Sequence, residues 1–305
     1  MHVSEAMKID QFLEYLQYER NYSTHTVLSY NKDLLQFSIF VQQRLGDYSI
    51  AQIDGDLIRN WIVELMDQKR TPATVKRKLS TLKSYFRFLV QRGDVKKNPI
   101  LNISGPKSSK KIPSFVKESE MNLVLDDSAG DSGFEAIRNH AIIHLFYATG
   151  IRRAELINLK DQDVDFYTSV IKVTGKRNKQ RLIPIGEEIT KLLSEYLEER
   201  DVRIGCADGH LFVKSDGEEL YPMLVHRIVS SKLAGATLSR KSPHVLRHTF
   251  ATSMLNHGAQ LNSVKELLGH GSLASTEVYT HTSFEELKKS YNAAHPRVGT
   301  TKKGG

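Results

Sequence analysis

The spacing of apolar side chains predicts helices through residues 1–98. Phe12, Leu13 and Leu16 share one helical face. Val27, Tyr30, Leu34, Phe37 and Val41 recur at helical intervals behind Ser23 or Thr24, either of which suits an N-cap. A third helix is predicted from about Leu57 to Asp67 and carries the single tryptophan, Trp61. A fourth starts behind Thr71-Pro72, an N-cap and N1 pair, with Val75, Leu79, Leu82, Phe86 and Leu89 as its apolar stripe. Asn98-Pro99 ends this unit. Residues 99–114 contain three prolines, one glycine and four serines, the composition of a linker.

Beyond the linker, helices are predicted near 117–127, 134–149 and 153–160. The period then changes from 3.6 to 2. Val164-Asp-Phe, Ser169-Val-Ile-Lys-Val and Arg181-Leu-Ile-Pro read as three short strands. Helices follow at about 186–203, 222–234, 243–257, 260–268 and 284–294. The expected fold is mainly α with a small antiparallel β-sheet, divided into a helical domain (1–98), a linker (99–114) and a second domain (115–305).

The 305 residues are 40% hydrophobic and 26% charged, enough for a substantial core. No apolar run approaches the roughly 20 residues of a membrane helix, so membrane insertion is not expected. The first residues lack the apolar stretch of a secretory leader. The single cysteine, Cys206, excludes an internal disulfide framework and fits a reducing cytoplasm, the expected location.

The formal charge is +8 and the isoelectric point about 9.3. Residues 1–105 hold 15 Lys/Arg against 11 Asp/Glu, and residues 106–117 add Lys107, Lys110, Lys111 and Lys117 with no acid. The remainder balances, 24 against 24. The first third and the linker therefore carry the global attraction to a polyanion, with nucleic acid the expected partner. On the fourth helix Lys76, Ser80, Lys83 and Arg87 share one face, which reads either as a DNA-contacting stripe or as a solvated charged face.

The candidate chemistry lies further on. In the helix predicted after Ser242-Pro243, His244 and Arg247 are three apart and converge on one side, while Leu246, Phe250 and Met254 face the core. Ser242 suits the N-cap and Gly258 the stop. A guanidinium fork matches two phosphate oxygens, and an imidazole moves protons near neutral pH. His244 and His248, four apart, could also face a metal. The metalloprotease pattern needs Glu where Val245 stands, so a metal is not expected; the chain also lacks a Gly-x-x-x-x-Gly-Lys-Ser/Thr loop, and no cofactor is expected. Arg247 could instead serve in a surface ion pair.

His270 lies between two glycines, placed either to project into a site or to end a helix. Tyr279 follows nine residues later; apart from this position it could be one more packing tyrosine among twelve. Upstream, Thr149-Gly-Ile-Arg152 breaks one helix and starts another. Arg153 rivals Arg152 for a phosphate, and Glu155 can brace Arg152 or a nearby histidine. Gly175-Lys176-Arg177-Asn-Lys179-Gln-Arg181 reads as a β-turn with four cations, either a polyanion contact or a solvated hairpin tip.

Together these residues resemble the tyrosine recombinase family over essentially the whole chain. The resemblance rests on Tyr22-Ser-x-x-Thr26-x-x-x-Tyr30-x-x-Asp33-Leu, Ala148-Thr-Gly-Ile-Arg152, the Gly175-Lys-x-Asn-Lys turn, His244-x-Leu-Arg247-His, Leu267-Leu-Gly-His270 and Tyr279-Thr-His. Within the family the chain is most similar to the bacterial Xer recombinases, in length and in its ending Tyr291-Asn-Ala-Ala-His-Pro-Arg297. Ile151, Arg153-Ala154 and Arg177 depart from the usual pattern without removing a catalytic group.

The resemblance implies a helical SAM-like core-binding domain followed by an α/β catalytic domain. It implies that Tyr279 attacks the scissile phosphate to give a 3′-phosphotyrosyl link. Arg152 and Arg247 would clamp the non-bridging oxygens with His270, Lys176 would protonate the leaving 5′-oxygen, His244 would assist the nucleophile, and Glu155 would support the site. Lys76, Lys83, Arg87, Lys107, Lys110, Lys111, Arg177, Lys179 and Arg181 are the expected DNA contacts. The implied assembly is a tetramer, alone or with a sister recombinase. Its implied task is chromosome-dimer resolution at division, with a septal DNA translocase as partner. The C-terminal helix would dock on a neighbouring subunit through Leu287 and Tyr291, or pack within its own chain. An integrase or excisionase of a mobile element, a relaxing topoisomerase and a DNA-binding protein with a dead site are the alternatives.

Overall fold

The computed structural model describes residues 8–107, 114–127, 133–175, 178–205, 209–238, 240–269 and 281–298. The chain divides into two compact units, Met1–Lys111 and Ile112–Gly305, each with its own hydrophobic core.

In the first unit, α1 (Ile9–Glu14) runs into a π-type turn, Tyr15–Glu19, and together they bury Ile9, Phe12 and Leu16. α2 (Thr24–Leu45) follows an extended Ser23, whose hydroxyl lies 3.0 Å from Thr26 Oγ1 instead of capping the backbone. α3 (Gly55–Asp67) begins ahead of the predicted Leu57, because Asp54 accepts the Leu57 amide at 2.8 Å. α4 (Pro72–Gln91) starts as predicted, with Thr71 Oγ1 accepting the Thr74 amide at 3.3 Å. Val75, Leu79, Leu82, Phe86 and Leu89 are all buried, each burial contributing roughly 1.5–3 kcal/mol.

A buried ionic knot joins α2 to α4. Asp33, 2% exposed, accepts from Lys78 Nζ at 2.8 Å, Thr81 Oγ1 at 3.0 Å and both Nη atoms of Arg77. Ile100 and Ile103 also pack into this core, so it extends into the stretch read as linker.

The second unit contains α5 (Glu118–Asp126), α6 (Phe134–Thr149) and α7 (Arg153–Ile157), then β1 (Val164–Asp165), β2 (Val170–Thr174) and β3 (Gln180–Pro184). The order β1-β2-β3 is antiparallel throughout, and the β2–β3 register pairs Thr174 with Gln180. The helix predicted to reach 160 stops at Ile157, and the first strand is shorter than predicted. α8 (Glu187–Ile204), α9 (Pro222–Lys232), α10 (Pro243–Asn256), α11 (Leu261–Leu268) and α12 (His281–Ala294) follow. Buried on nearly every side, α6 packs against α8 and α10. Ser242 makes no side-chain cap; Pro243 at N1 marks the start of α10 instead.

Leu287 and Tyr291 of α12 are buried in this unit's own core, and the Tyr291 hydroxyl donates to the Ala148 carbonyl at 3.1 Å. Of the two uses expected for that helix, the structure shows the intramolecular one. Among the described residues no helix is long and apolar enough to cross a membrane.

Candidate active site

The site begins where α6 ends. Gly150 closes α6 in the left-handed region, φ +58°, where L side chains are strained. A Cβ there would lie 2.5 Å from Phe250 Cδ1 and 2.7 Å from Leu268 Cδ2. The close approach draws α10 and α11 against the α6–α7 junction. Arg152 then N-caps α7, and Glu155 turns back onto it: the Arg152 amide donates to Glu155 Oε2 at 2.9 Å and Nη1 to Oε1 at 2.7 Å.

Arg181 reaches the same carboxylate from β3. Its Nη1 donates to Glu155 Oε1 at 3.0 Å and its Nη2 to Oε2 at 2.8 Å. Arg181 is only 6% exposed, because it shares strand parity with buried Ile183. It is therefore not an exposed cation of the β2–β3 turn, the DNA contact the sequence had suggested, but a buried partner of the Glu155 that braces Arg152. Lys179 and the linker's Lys107 are exposed, as are Lys76 and Arg87, while Lys83 is partly so.

Arg247 enters from α10. Its Nη1 donates to the Gly150 carbonyl at 2.6 Å and its Nη2 to the Leu268 carbonyl at 2.5 Å. Three arginines thus share the end of α11. Arg181 Nε donates to the Leu267 carbonyl at 2.7 Å, Arg247 to Leu268, and Arg152 Nη2 to Gly269 at 3.1 Å. The last carbonyls of a helix lack intrahelical donors and carry its negative dipole end, so cations are favourable there. Gly269, at φ +64°, packs against Arg181 so closely that a Cβ would lie 3.2 Å from Nη1.

Three guanidinium groups and one carboxylate leave the cluster cationic. Burial alone would raise the Glu155 pKa, but hydrogen bonds and charge from Arg181, then Arg152, hold it down at about 2. Burial and the nearby Arg152 lower Arg247 to about 10, still protonated at neutral pH. His244, exposed at the start of α10, is lowered by partial desolvation and then by Arg153, Arg247, His248 and Arg152. Its imidazole is neutral at pH 7 and able to take a proton. Arg153 points its Nη1 to the Pro222 carbonyl at 3.4 Å, whereas Arg152 joins the cluster.

Lys176, Arg177, His270 and Tyr279 lie outside the described residues, as do Lys110 and Lys111. Their described neighbours can be placed. A Cβ on Gly175 would lie 3.4 Å from Glu155 Oε1, so the β2–β3 turn starts beside the cluster. Gly269, bound by Arg152, directly precedes His270. Among the described residues no group of three or more His, Cys, Asp or Glu side chains could hold a metal ion.

Comparison with known proteins agrees with this arrangement. Residues 114–286 match the phage integrase family, and residues 9–93 match the phage integrase N-terminal SAM-like domain. The tyrosine recombinase XerC of Chlorobaculum tepidum is 38% identical over 97% of this chain and 96% of its own length. Tyrosine recombinase XerC of Halalkalibacterium halodurans is 39% identical over 98% and 100%. Among solved structures, the XerH site-specific recombinase bound to a palindromic difH substrate, a post-cleavage complex, superposes with a TM-score of 0.72 at 25% identity, covering 93% of this chain and 84% of that one. This chain, with its helical N-terminal unit and its arginine cluster around Glu155, belongs to the phage integrase family of tyrosine recombinases.

Proposed function

We propose that this protein is a site-specific recombinase that cuts and rejoins duplex DNA and resolves chromosome dimers at cell division. The observation that supports the reading most directly is the convergence of Arg152 and Arg247 on the end of α11, immediately before His270. Such a cationic cluster suits a phosphorane. In the proposed reaction the Tyr279 oxygen attacks the scissile phosphorus and gives up its proton with help from neutral His244. The bond from phosphorus to the 5′-oxygen breaks, and Lys176 protonates the leaving oxygen. Arg152, Arg247 and His270 stabilise the non-bridging oxygens, and Glu155 supports Arg152. A 5′-hydroxyl from a second duplex then attacks the phosphotyrosine and restores tyrosine, so no external energy source is consumed.

On this reading 1–98, with a core that runs on through Ile103, forms the core-DNA-binding domain, the rest of the stretch to 114 a basic linker and 115–305 the catalytic domain. Lys76, Lys83, Arg87, Lys107, Lys110, Lys111, Arg177 and Lys179 meet the phosphate backbone. The active assembly is a cytoplasmic tetramer, alone or with a sister recombinase, coupled to a septal DNA translocase. The test is a duplex nicked near its cleavage point, which traps the covalent intermediate. Wild type is expected to form a denaturant-stable adduct and Tyr279→Phe none. An adduct persisting in the Phe variant removes Tyr279 from the mechanism.

A further inference from the structure

Arg181 and Arg152 hold one carboxylate from two levels. Arg152 keeps about a third of its side chain exposed (36%), whereas that of Arg181 is 7% exposed. Arg181 therefore cannot be reached by a DNA phosphate, yet its guanidinium is engaged along its whole edge. Two nitrogens grip Glu155, and Nε holds the Leu267 carbonyl. It ties the base of the Arg152 brace to the helix end that leads into His270. Gly269 closes over it, with its Cα side packed against the Arg181 Nη1 and Cδ atoms.

We propose that Arg181 is a positioning residue for strand cleavage, a buried strut that keeps Arg152 and the end of α11 in register. This rests on the recombinase reading of the same site. A lysine cannot replace it: one ammonium cannot form the two-pronged contact with Glu155 and also reach the Leu267 carbonyl. A displacement of about 1 Å in groups aimed at a reacting phosphate is enough to cost on the order of 100-fold in rate.

The strut also governs a protonation state. The charged groups facing Glu155 are Arg152 at the start of its own helix, Arg181 from β3 and Arg247 from α10. Without Arg181 the carboxylate stays buried with less positive charge beside it, so it binds a proton at higher pH and loosens its hold on Arg152.

The experiment compares wild type, Arg181→Lys and Arg181→Met on a nicked duplex chosen from fragments of the source genome by retention on the wild-type protein. Single-turnover adduct formation at saturating protein, the Kd for the same duplex and the circular-dichroism spectrum are measured from pH 8 to pH 5.5 (a window chosen around the ordinary histidine pKa of ~6.5). Both variants are expected to fold and to bind DNA within about threefold of wild type. Adduct formation should fall roughly 10- to 100-fold in both. For Arg181→Met the ratio of its rate to that of wild type should fall further as pH drops.

A wild-type rate in Arg181→Met, or a deficit matched by weaker DNA binding and constant with pH, overturns the proposal. So does a failure of both variants to fold, which would make Arg181 a core residue only. No adduct with wild type overturns the recombinase reading itself, an outcome separate from a wild-type adduct that the Arg181 variants match.

Discussion

Arg181 and Glu155 meet through parallel hydrogen bonds of 3.0 and 2.8 Å, with side chains 7% and 5% exposed. Such a pair contributes little net stability over an apolar replacement, but removing one partner strands the other's charge in the interior. Glu155→Gln is expected to destabilise the catalytic unit by about 3–5 kcal/mol, read as a lower denaturation midpoint at pH 7. Unchanged melting would show that Arg181 finds a second partner.

The same pair sets an acid limit. In the folded protein the Glu155 pKa is lowered to about 2, against an ordinary value of 4.5. The unfolded chain therefore binds the proton more tightly. The associated stability, on the order of 3 kcal/mol, is fully present above the ordinary value and is lost as pH falls from about 5 towards 2. Acid titration of wild type should show this loss, and Glu155→Gln should lack that component.

Gly150 is expected to tolerate no side chain. Gly150→Ala combines a left-handed backbone with a Cβ 2.5 Å from the Phe250 ring. Strain of about 1–2 kcal/mol and overpacking of about 1–3 kcal/mol should add, lowering the melting midpoint. Because Arg247 binds the Gly150 carbonyl, adduct formation should fall even at temperatures where the variant is folded. Wild-type cleavage by a folded Gly150→Ala protein would contradict this account.

His244 should impose the acid limb of the cleavage reaction. Desolvation and four neighbouring cationic or imidazole groups lower its pKa below the ordinary 6.5. The base form is active, so the rate should rise with pH through a value under 6.5 and then level off. His244→Gln should reduce the rate about 10²–10⁴-fold and flatten that limb. A limb that persists in the variant assigns the titration elsewhere.

In the N-terminal unit, Asp33→Ala should leave buried Lys78 without its carboxylate and cost about 3–5 kcal/mol. Arg77, half exposed and held by the same carboxylate, would lose its orientation. The expected result is a lower melting midpoint. An unchanged melting profile would remove the knot as the link between α2 and α4.

Much of this protein was legible along the chain because the signals are local. Periodicity and caps such as Thr71-Pro72 mark helices through contacts within a few residues, and α6 spans the predicted 134–149. The change to period two marked the small sheet. Arg152, Arg247 and Glu155, which folding brings together, stood out along the chain by residue type and order.

What the chain could not disclose alone was the division of labour among its cations. Arg181 looked like one more charge on a basic turn, although its alternation with Ile183 pointed inward. Its partners lie 26 and 86 positions away, so only folding brings the Glu155 carboxylate and the Leu267 carbonyl to it. Asp33 and Lys78, 45 positions apart, were hidden for the same reason. Sequence determined which elements form and which reactive groups they carry. Tertiary packing decided which charges are exposed and which are buried, because burial and long-range pairing depend on neighbours that the linear order does not contain.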